Sequence, residues 1–457
     1  MFANLIKFLK GVISKMFSKN QIEAISHDQV TMSGAMIDRM ALWERMLAGR
    51  APWVEDDDGG VKSLGLEGAI CREFANVTLS EMDTKLENEK LDELYQKAIS
   101  GLSKGMQTGL GLGSFVIKPI GSTGEFECIP ANRIVPLEYG ADGKLRKCIF
   151  IQIKPIGDSD VYYRLEKHEL VNDMLHIENK AFKGTASNLG KEIPLSAVEE
   201  WKNLAIEMAY PIDRMDFGFY KNPIPNMIDG SENGVSIFDV GVDKIRKCDI
   251  QDSRLDWEYS SGERLVYADY TALQKQSSGG KTKWVAPKGK ERMFVGTDLE
   301  NQWEEHSPAL RDQNYINGKN EYKRDLEFVC CLAYGDLSKN EVVEKTATEI
   351  EASKQRKYNM VNEIQKNLKT CLEDLAYAIA FYQAQYTSHI GFQCVFHDSI
   401  LTDEKTEREQ DRIDMQMGIM SKVEYRMKWY GEDDHMAADK IAEATQEIAS
   451  QSEGDIE

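Results

Sequence analysis

The residues that decide the fold run from Ile316 to Gln383: INGKNEYKRDLEFVCCLAYG (316–335), DLSKNEVVEK (336–345) and TATEIEASKQRKYNMVNEIQKNLKTCLEDLAYAIAFYQ (346–383). The first part reads as a helix that stops at Gly335, because glycine commonly supplies the left-handed cap after a last turn. A short, mostly polar loop follows. The third part reads as one very long helix. Thr346 and Glu349 have the T-x-x-E spacing of a capping box, in which each side chain covers the other's free backbone donor. Val361, Ile364, Leu368, Leu372, Leu375, Ile379 and Tyr382 recur at three- and four-residue steps and form one apolar stripe. Unbroken, this helix is roughly 55–60 Å long at about 1.5 Å per residue. A loop pinned between two long helices suits a protruding element on a rigid frame, and does not suit a small-molecule pocket.

Bulk properties set the bounds. A chain of 457 residues exceeds one usual hydrophobic core, so two or three structural regions are expected. The composition, 42% apolar and 29% charged, is that of a folded protein. A formal charge of −20 argues against gripping DNA phosphates over the whole surface. It leaves room for DNA contact, since acidic walls let a polyanion slide while a few basic side chains touch it. The eight cysteines include the adjacent Cys330 and Cys331 but no C-x-x-C pair, and are expected to be reduced, buried thiols. Lysines interrupt every apolar run of MFANLIKFLKGVISKMFSKN, unlike a secretory signal. No apolar run approaches about 18 residues, so no membrane span is expected.

Upstream of the long helix, Ala41 to Trp53 reads as a helix, and helical patterns run from Leu66 to Gln107. SFVIKPI, CIPANRIVPLEY, KCIFIQIKPI, VYYRLEKHEL and MLHIENKAF are β-rich runs separated by Gly, Asp and Asn, as in antiparallel hairpins. Pro211 to Asn233 reads as irregular, and a helix is expected from about Ser236 to Tyr259. The segment from Arg264 to Tyr315 turns strand-like, a small β-module mounted between two helices. One strand, IGFQCVFHDSI, follows the long helix. The acidic tail holds at least two more helices, one opened by a second capping box at Ser421 and Glu424.

No catalytic signature emerges. A dinucleotide fingerprint must follow a strand and open a helix. GLGLGS (109–114) does the reverse and reads as a helix stop and turn. GGKT (279–282) lacks the first P-loop glycine, since position 275 is Lys275, and reads as a hairpin tip. The seven histidines form no H-x-x-x-H pair, and no serine sits in a G-x-S-x-G elbow. Neither a cofactor nor a metal is expected. The loop DLSKNEVVEK has two readings: a plain helix–helix connection, or a protruding element whose Lys339 and Lys345, set among Asp336, Glu341 and Glu344, touch phosphates lightly.

Taken together, ALWERMLAGRAPW, GLGLGSFVIKPI, IPANRIVPLEYGADGKL, YYRLEKHEL, GVSIFDVGVDKI, EKTATEIEAS before the long helix, and GIMSKVEYRMKWYG resemble, in order, the portal proteins of long-tailed bacteriophages of Gram-positive hosts. The resemblance implies an α+β portal fold: a mixed α/β wing (1–233), a two-helix stem (234–263 and 316–335) and a small β-containing clip (264–315). It further implies a long wing helix and strand (346–400) and a helical crown (401–457). Residues 336–345 would be the tunnel loop facing DNA, with Asp336, Lys339, Asn340, Glu341, Glu344 and Lys345 as its site residues. It also implies a homo-oligomeric ring, usually of twelve subunits, at the portal vertex of the virion capsid, assembled in the host bacterial cytoplasm. Double-stranded DNA would pass through it without sequence-specific binding. Its implied partners are the terminase large subunit, major capsid and scaffolding proteins and a head-completion connector, with no membrane. Such a protein is a structural conduit and not an enzyme. The rival readings are another virion component, such as a minor capsid or connector protein, and an enzyme acting on nucleic acid.

Overall fold

The structure, a computed structural model, describes residues 19–56, 60–156, 160–185, 188–263, 265–269, 274–278, 281–285, 294–297, 303–339, 347–386, 389–397, 404–430 and 432–443. It is mixed α/β, compatible with the α+β class, and divides into two units. The larger comprises Met1–Ser80 and Thr84–Cys394, and the smaller Glu81–Asp83 and Val395–Glu457.

The larger unit opens with helices α1 (Lys19–Ser26), α2 (Gly34–Leu47) and α3 (Pro52–Glu55). The single helix expected over 41–53 is therefore two. Gly49, with φ of +67°, ends the first, and Pro52 opens the second where no intrahelical N–H is needed. After α4 (Leu66–Leu79) comes strand β1 (Met82–Leu86), which the helical reading of 66–107 missed. Asn88 then caps α5 (Glu89–Ile99), accepting from Lys90 N and Leu91 N. Helix α6 (Leu102–Leu112) runs straight through Gly109 and Gly111, which the sequence reading placed in a turn. Packing explains both. A Cβ on Gly109 would sit 2.2 Å from the Phe115 ring, and one on Gly111 would sit 2.6 Å from Leu47. Only Gly113, at φ +95°, is the stop.

Nine strands follow: β2 (Ser114–Pro119), β3 (Phe126–Pro130), β4 (Ile134–Tyr139), β5 (Leu145–Ile156), β6 (Asp160–Val171), β7 (Met174–Thr185), β8 (Asn188–Ile193), β9 (Glu207–Tyr210) and β10 (Gly218–Lys221). As the turn-separated runs require, β4 to β8 form an antiparallel meander, with β9 added to β7. Asn172 and Asp173 both take positive φ between β6 and β7, giving a two-residue turn whose twist matches the strands. A second sheet has the order β10-β2-β3. Its strand β10 lies within the segment expected to be irregular.

Helix α7 (Val242–Ser261) begins after a 3-10 turn at Asp239–Gly241, later than the expected Ser236. The β-module holds β11 (Leu265–Asp269), β12 (Gln274–Ser278), β13 (Lys281–Val285), β14 (Phe294–Thr297) and β15 (Trp303–His306). Strands β12 and β13 form a hairpin, while β14-β11-β15 is a small mixed sheet. Then come α8 (Asp312–Val329), the long helix α9 (Ala347–Tyr382) and β16 (Phe392–Phe396). Residues 361, 364, 368, 372, 375 and 379 of the apolar stripe are fully buried or nearly so, and Tyr382 is half-buried. Helix α9 passes so close to β10 that a Cβ on Gly218 would meet the Cys371 carbonyl at 2.3 Å. Among the described residues, no helix is long and apolar enough to cross a membrane.

The smaller unit holds α10 (Glu404–Gln416), α11 (Lys422–Tyr430) and a further helix over 434–443. The capping box that opens α11 is reciprocal: Ser421 N donates to Glu424 Oε2 at 2.8 Å, and Glu424 N donates to Ser421 Oγ at 3.1 Å. All eight cysteines are free thiols. Cys128 is exposed and Cys331 half-buried, against the expectation of uniform burial, because each sits at the edge of its element.

Candidate functional site

The connection between α8 and α9 starts from a fixed root. Helix α8 stops ahead of Gly335, contrary to the sequence reading. Cys331 takes the left-handed conformation, φ +59°, while Leu332 N donates to Glu327 O at 2.8 Å and Cys331 N to Phe328 O at 3.3 Å. That pair of bonds is a Schellman cap formed without glycine. Gly335, at φ +102°, serves the next bend.

Glu327 projects inward from the same last turn and is fully buried. Its carboxylate accepts from Gly335 N at 3.1 Å, Leu337 N at 2.7 Å, Ser338 N at 2.7 Å and Ser338 Oγ at 2.8 Å. A buried carboxylate needs donors, and a chain leaving a helix needs acceptors; one side chain meets both needs. Helix α9 holds the root from its other side through Ser353 Oγ, which accepts from Tyr334 N at 3.3 Å.

Asp336 belongs to this frame. Its carboxylate accepts from Ala333 N at 2.9 Å and pairs with the buried Lys357 ammonium at 3.0 Å, which also lies 2.5 Å from Glu73 of α4. It is thus a tie between helices and not a loose carboxylate on the loop. Lys339 differs: its N–H donates to Asn320 Oδ1 at 2.7 Å, while the residue itself is exposed. Asn340, Glu341, Glu344, Lys345 and the Thr346 half of the expected capping box lie outside the described residues. Beside the root, the guanidinium groups of Arg324 and Arg356 stand 5.8 and 5.2 Å from the Tyr334 ring centre, and Arg356 also stands 4.9 Å from Phe328. Sequence reasoning missed Glu327, Lys357 and both arginines. Glu327 did leave a signal, as an acid inside the apolar run LEFVCC. Its partners are backbone amides, which carry no residue code.

A second charged cluster sits in the sheet core. His168 Nδ1 lies 2.7 Å from Asp216 Oδ1 and its Nε2 lies 2.8 Å from Glu166 Oε1. Lys118 and Arg164 both pair with Glu166, and Tyr382 Oη donates to Asp216 Oδ2 at 2.6 Å. Burial opposes every one of these charges, yet their mutual attraction prevails. Glu166 is held well below the usual carboxylate range by Lys118, His168 and Arg164; Asp216 is lowered by His168; and His168 is raised by Asp216 and Glu166. His168 is completely enclosed. The cluster ties β6 to the segment before β10 and to the end of α9, so its chemistry is that of an ionic lock.

The remaining motifs fall into ordinary places. Lys281 and Thr282 of GGKT pair with Ser278 and Ser277 across the β12–β13 hairpin, and Gly279 and Gly280 lie outside the described residues. His397 N donates to Glu81 O, and Asp398 lies outside the described residues. Among the described residues, no group of three or more His, Cys, Asp or Glu side chains is arranged to hold a metal. Compared with known proteins, the sequence matches no family model and no curated protein.

Proposed function

We propose that this chain is the subunit of a phage portal: a ring at one capsid vertex through which double-stranded DNA is packaged and later ejected. The observation that carries the reading is the Glu327-clamped root between α8 and the long helix α9. A loop that meets a moving polyanion repeatedly needs a stiff base and a light touch. Glu327, Asp336 and Lys357 supply the base, and the exposed Lys339 supplies a screened point charge. The −20 net charge fits a conduit to which DNA must not adhere.

On this reading α7 and α8 form the stem, residues 264–315 the clip and residues 401–457 the crown. Residues 1–233 and 346–400 form the wing. The chain then docks a terminase motor, which hydrolyses the ATP, and later the head–tail connector; it performs no catalysis itself. Electron microscopy of the purified full chain tests the reading. Rings with a central hole are expected, and a protein that stays monomeric under all assembly conditions overturns it.

A further inference from the structure

Helices α7 and α8 run antiparallel, and three ion pairs set their register: Lys244–Asp325 at 2.5 Å, Lys319–Asp252 at 2.6 Å and Arg311–Glu258 at 2.8 Å. These contacts mark the face each helix turns toward the other. The Trp53–Asp249 bond at 2.8 Å and the burial of Leu326 and Glu327 mark the faces turned toward the rest of the unit. At about 100° per residue, what remains on α7 is a stripe of Arg246, Ile250, Arg254 and Trp257. What remains on α8 is a stripe of Asn317, Glu321 and Phe328, with Asp325 beside it. Because the helices run in opposite directions, the two stripes face opposite flanks of the pair. The ion-pair register places Glu321 and Asp325 level with the span from Arg246 to Arg254.

The flanks have opposite chemistry. The α7 flank is a groove of about 720 Å³ walled by Trp53, Val61, Ile250 and Trp257. Trp257 is 65% exposed, and among the described residues neither Arg246 nor Arg254 has a salt-bridge partner. Exposed Trp and Arg are the residue types that dominate association hot spots. The α8 flank is acidic: Glu321 and Asp325 are largely exposed, each with one local cation, Arg324 and Lys244. Phe328 stands exposed beside them. Cationic on one flank and acidic on the other at the same level, the helix pair is complementary to itself in a head-to-tail contact. Such a contact closes a ring when the rotation per copy divides the circle.

We propose that the α7 flank around Arg246, Arg254 and Trp257 docks the α8 flank around Glu321 and Asp325 of a second copy of this chain. This rests on the ring reading above and names its contact. The test measures particle mass of the full chain by mass photometry, with circular dichroism melting as a check on folding. R246E/R254E and E321K should each reduce the assembled fraction about tenfold or more at equal concentration while leaving the melt unchanged. The combined triple variant should regain most of that loss. Wild-type rings together with unimpaired R246E/R254E rings, or a triple variant no better than either parent, overturn the contact and leave the conduit standing. A wild-type chain that never assembles removes both.

Discussion

Glu327→Ala takes away the acceptor shared by three backbone donors, Gly335 N, Leu337 N and Ser338 N, and by the Ser338 hydroxyl. Each buried donor left unpaired costs about 1–3 kcal/mol, and water entering the vacated space recovers part of the total. A loss of about 3–5 kcal/mol is expected, the range for breaking a buried charged contact. Glu327→Gln behaves differently. Its remaining oxygen can face the three amides, and its NH2 can donate to Ser338 Oγ, so only the charge assistance is lost, about 1–2 kcal/mol. Urea unfolding of both variants measures the difference. Hydrogen exchange at the amides of 335, 337 and 338 localises it, with roughly a hundredfold to thousandfold faster exchange in the Ala variant at about 1.4 kcal/mol per decade. A Glu327→Ala protein that unfolds at the wild-type urea concentration with those amides still protected refutes the clamp. If Gln proves as damaging as Ala, charge and not acceptor geometry holds the root.

Three further outcomes are expected. Glu67 is buried with Oε2 unpartnered, and burial, with the negative charge of Asp249 added, pushes its carboxyl from 4.5 up to about 7. The folded state therefore loses about 3 kcal/mol as pH rises from 4.5 through 7, and Glu67→Gln should raise the melting temperature at pH 8 but not at pH 4.5; equal shifts at both would contradict this. Burial opposes the His168 imidazolium, but Asp216 and Glu166 outweigh it and raise its pKa above 6.5. The lock is then complete below pH 6.5 and weakens as pH rises through the folded value, so His168→Gln should flatten the alkaline decline in stability; an unchanged slope above pH 6.5 counts against it. Lys339→Ala with Lys345→Ala should leave ring assembly intact and alter DNA packaging or retention; loss of rings would make the loop purely structural.

Local pattern made much of this protein legible. The stripe from Val361 to Ile379 announced the long helix, and turn-separated β-rich runs announced the meander. The Ser421–Glu424 spacing announced its cap. These succeeded because period and capping are set by residues three or four apart. The failures share the opposite cause. Gly109 and Gly111 look like turn residues until Phe115 and Leu47 are seen pressing on the helix. Cys331 displaced Gly335 as the cap because the root was already held by Glu327.

The candidate site divides the same way. Its position, between one helix and a much longer one, followed from periodicity alone. The roles within it did not, because Asp336 and Lys339 are both charged loop residues in sequence. Only the arrival of Lys357 from the next helix turns the first into a structural tie, while no such partner reaches the exposed second. Helix periods and turn chemistry depend on neighbours along the chain, and the sequence alone determined those. Which charges are consumed within the fold and which stay available depends on groups brought together from distant segments, and only the tertiary structure decided that.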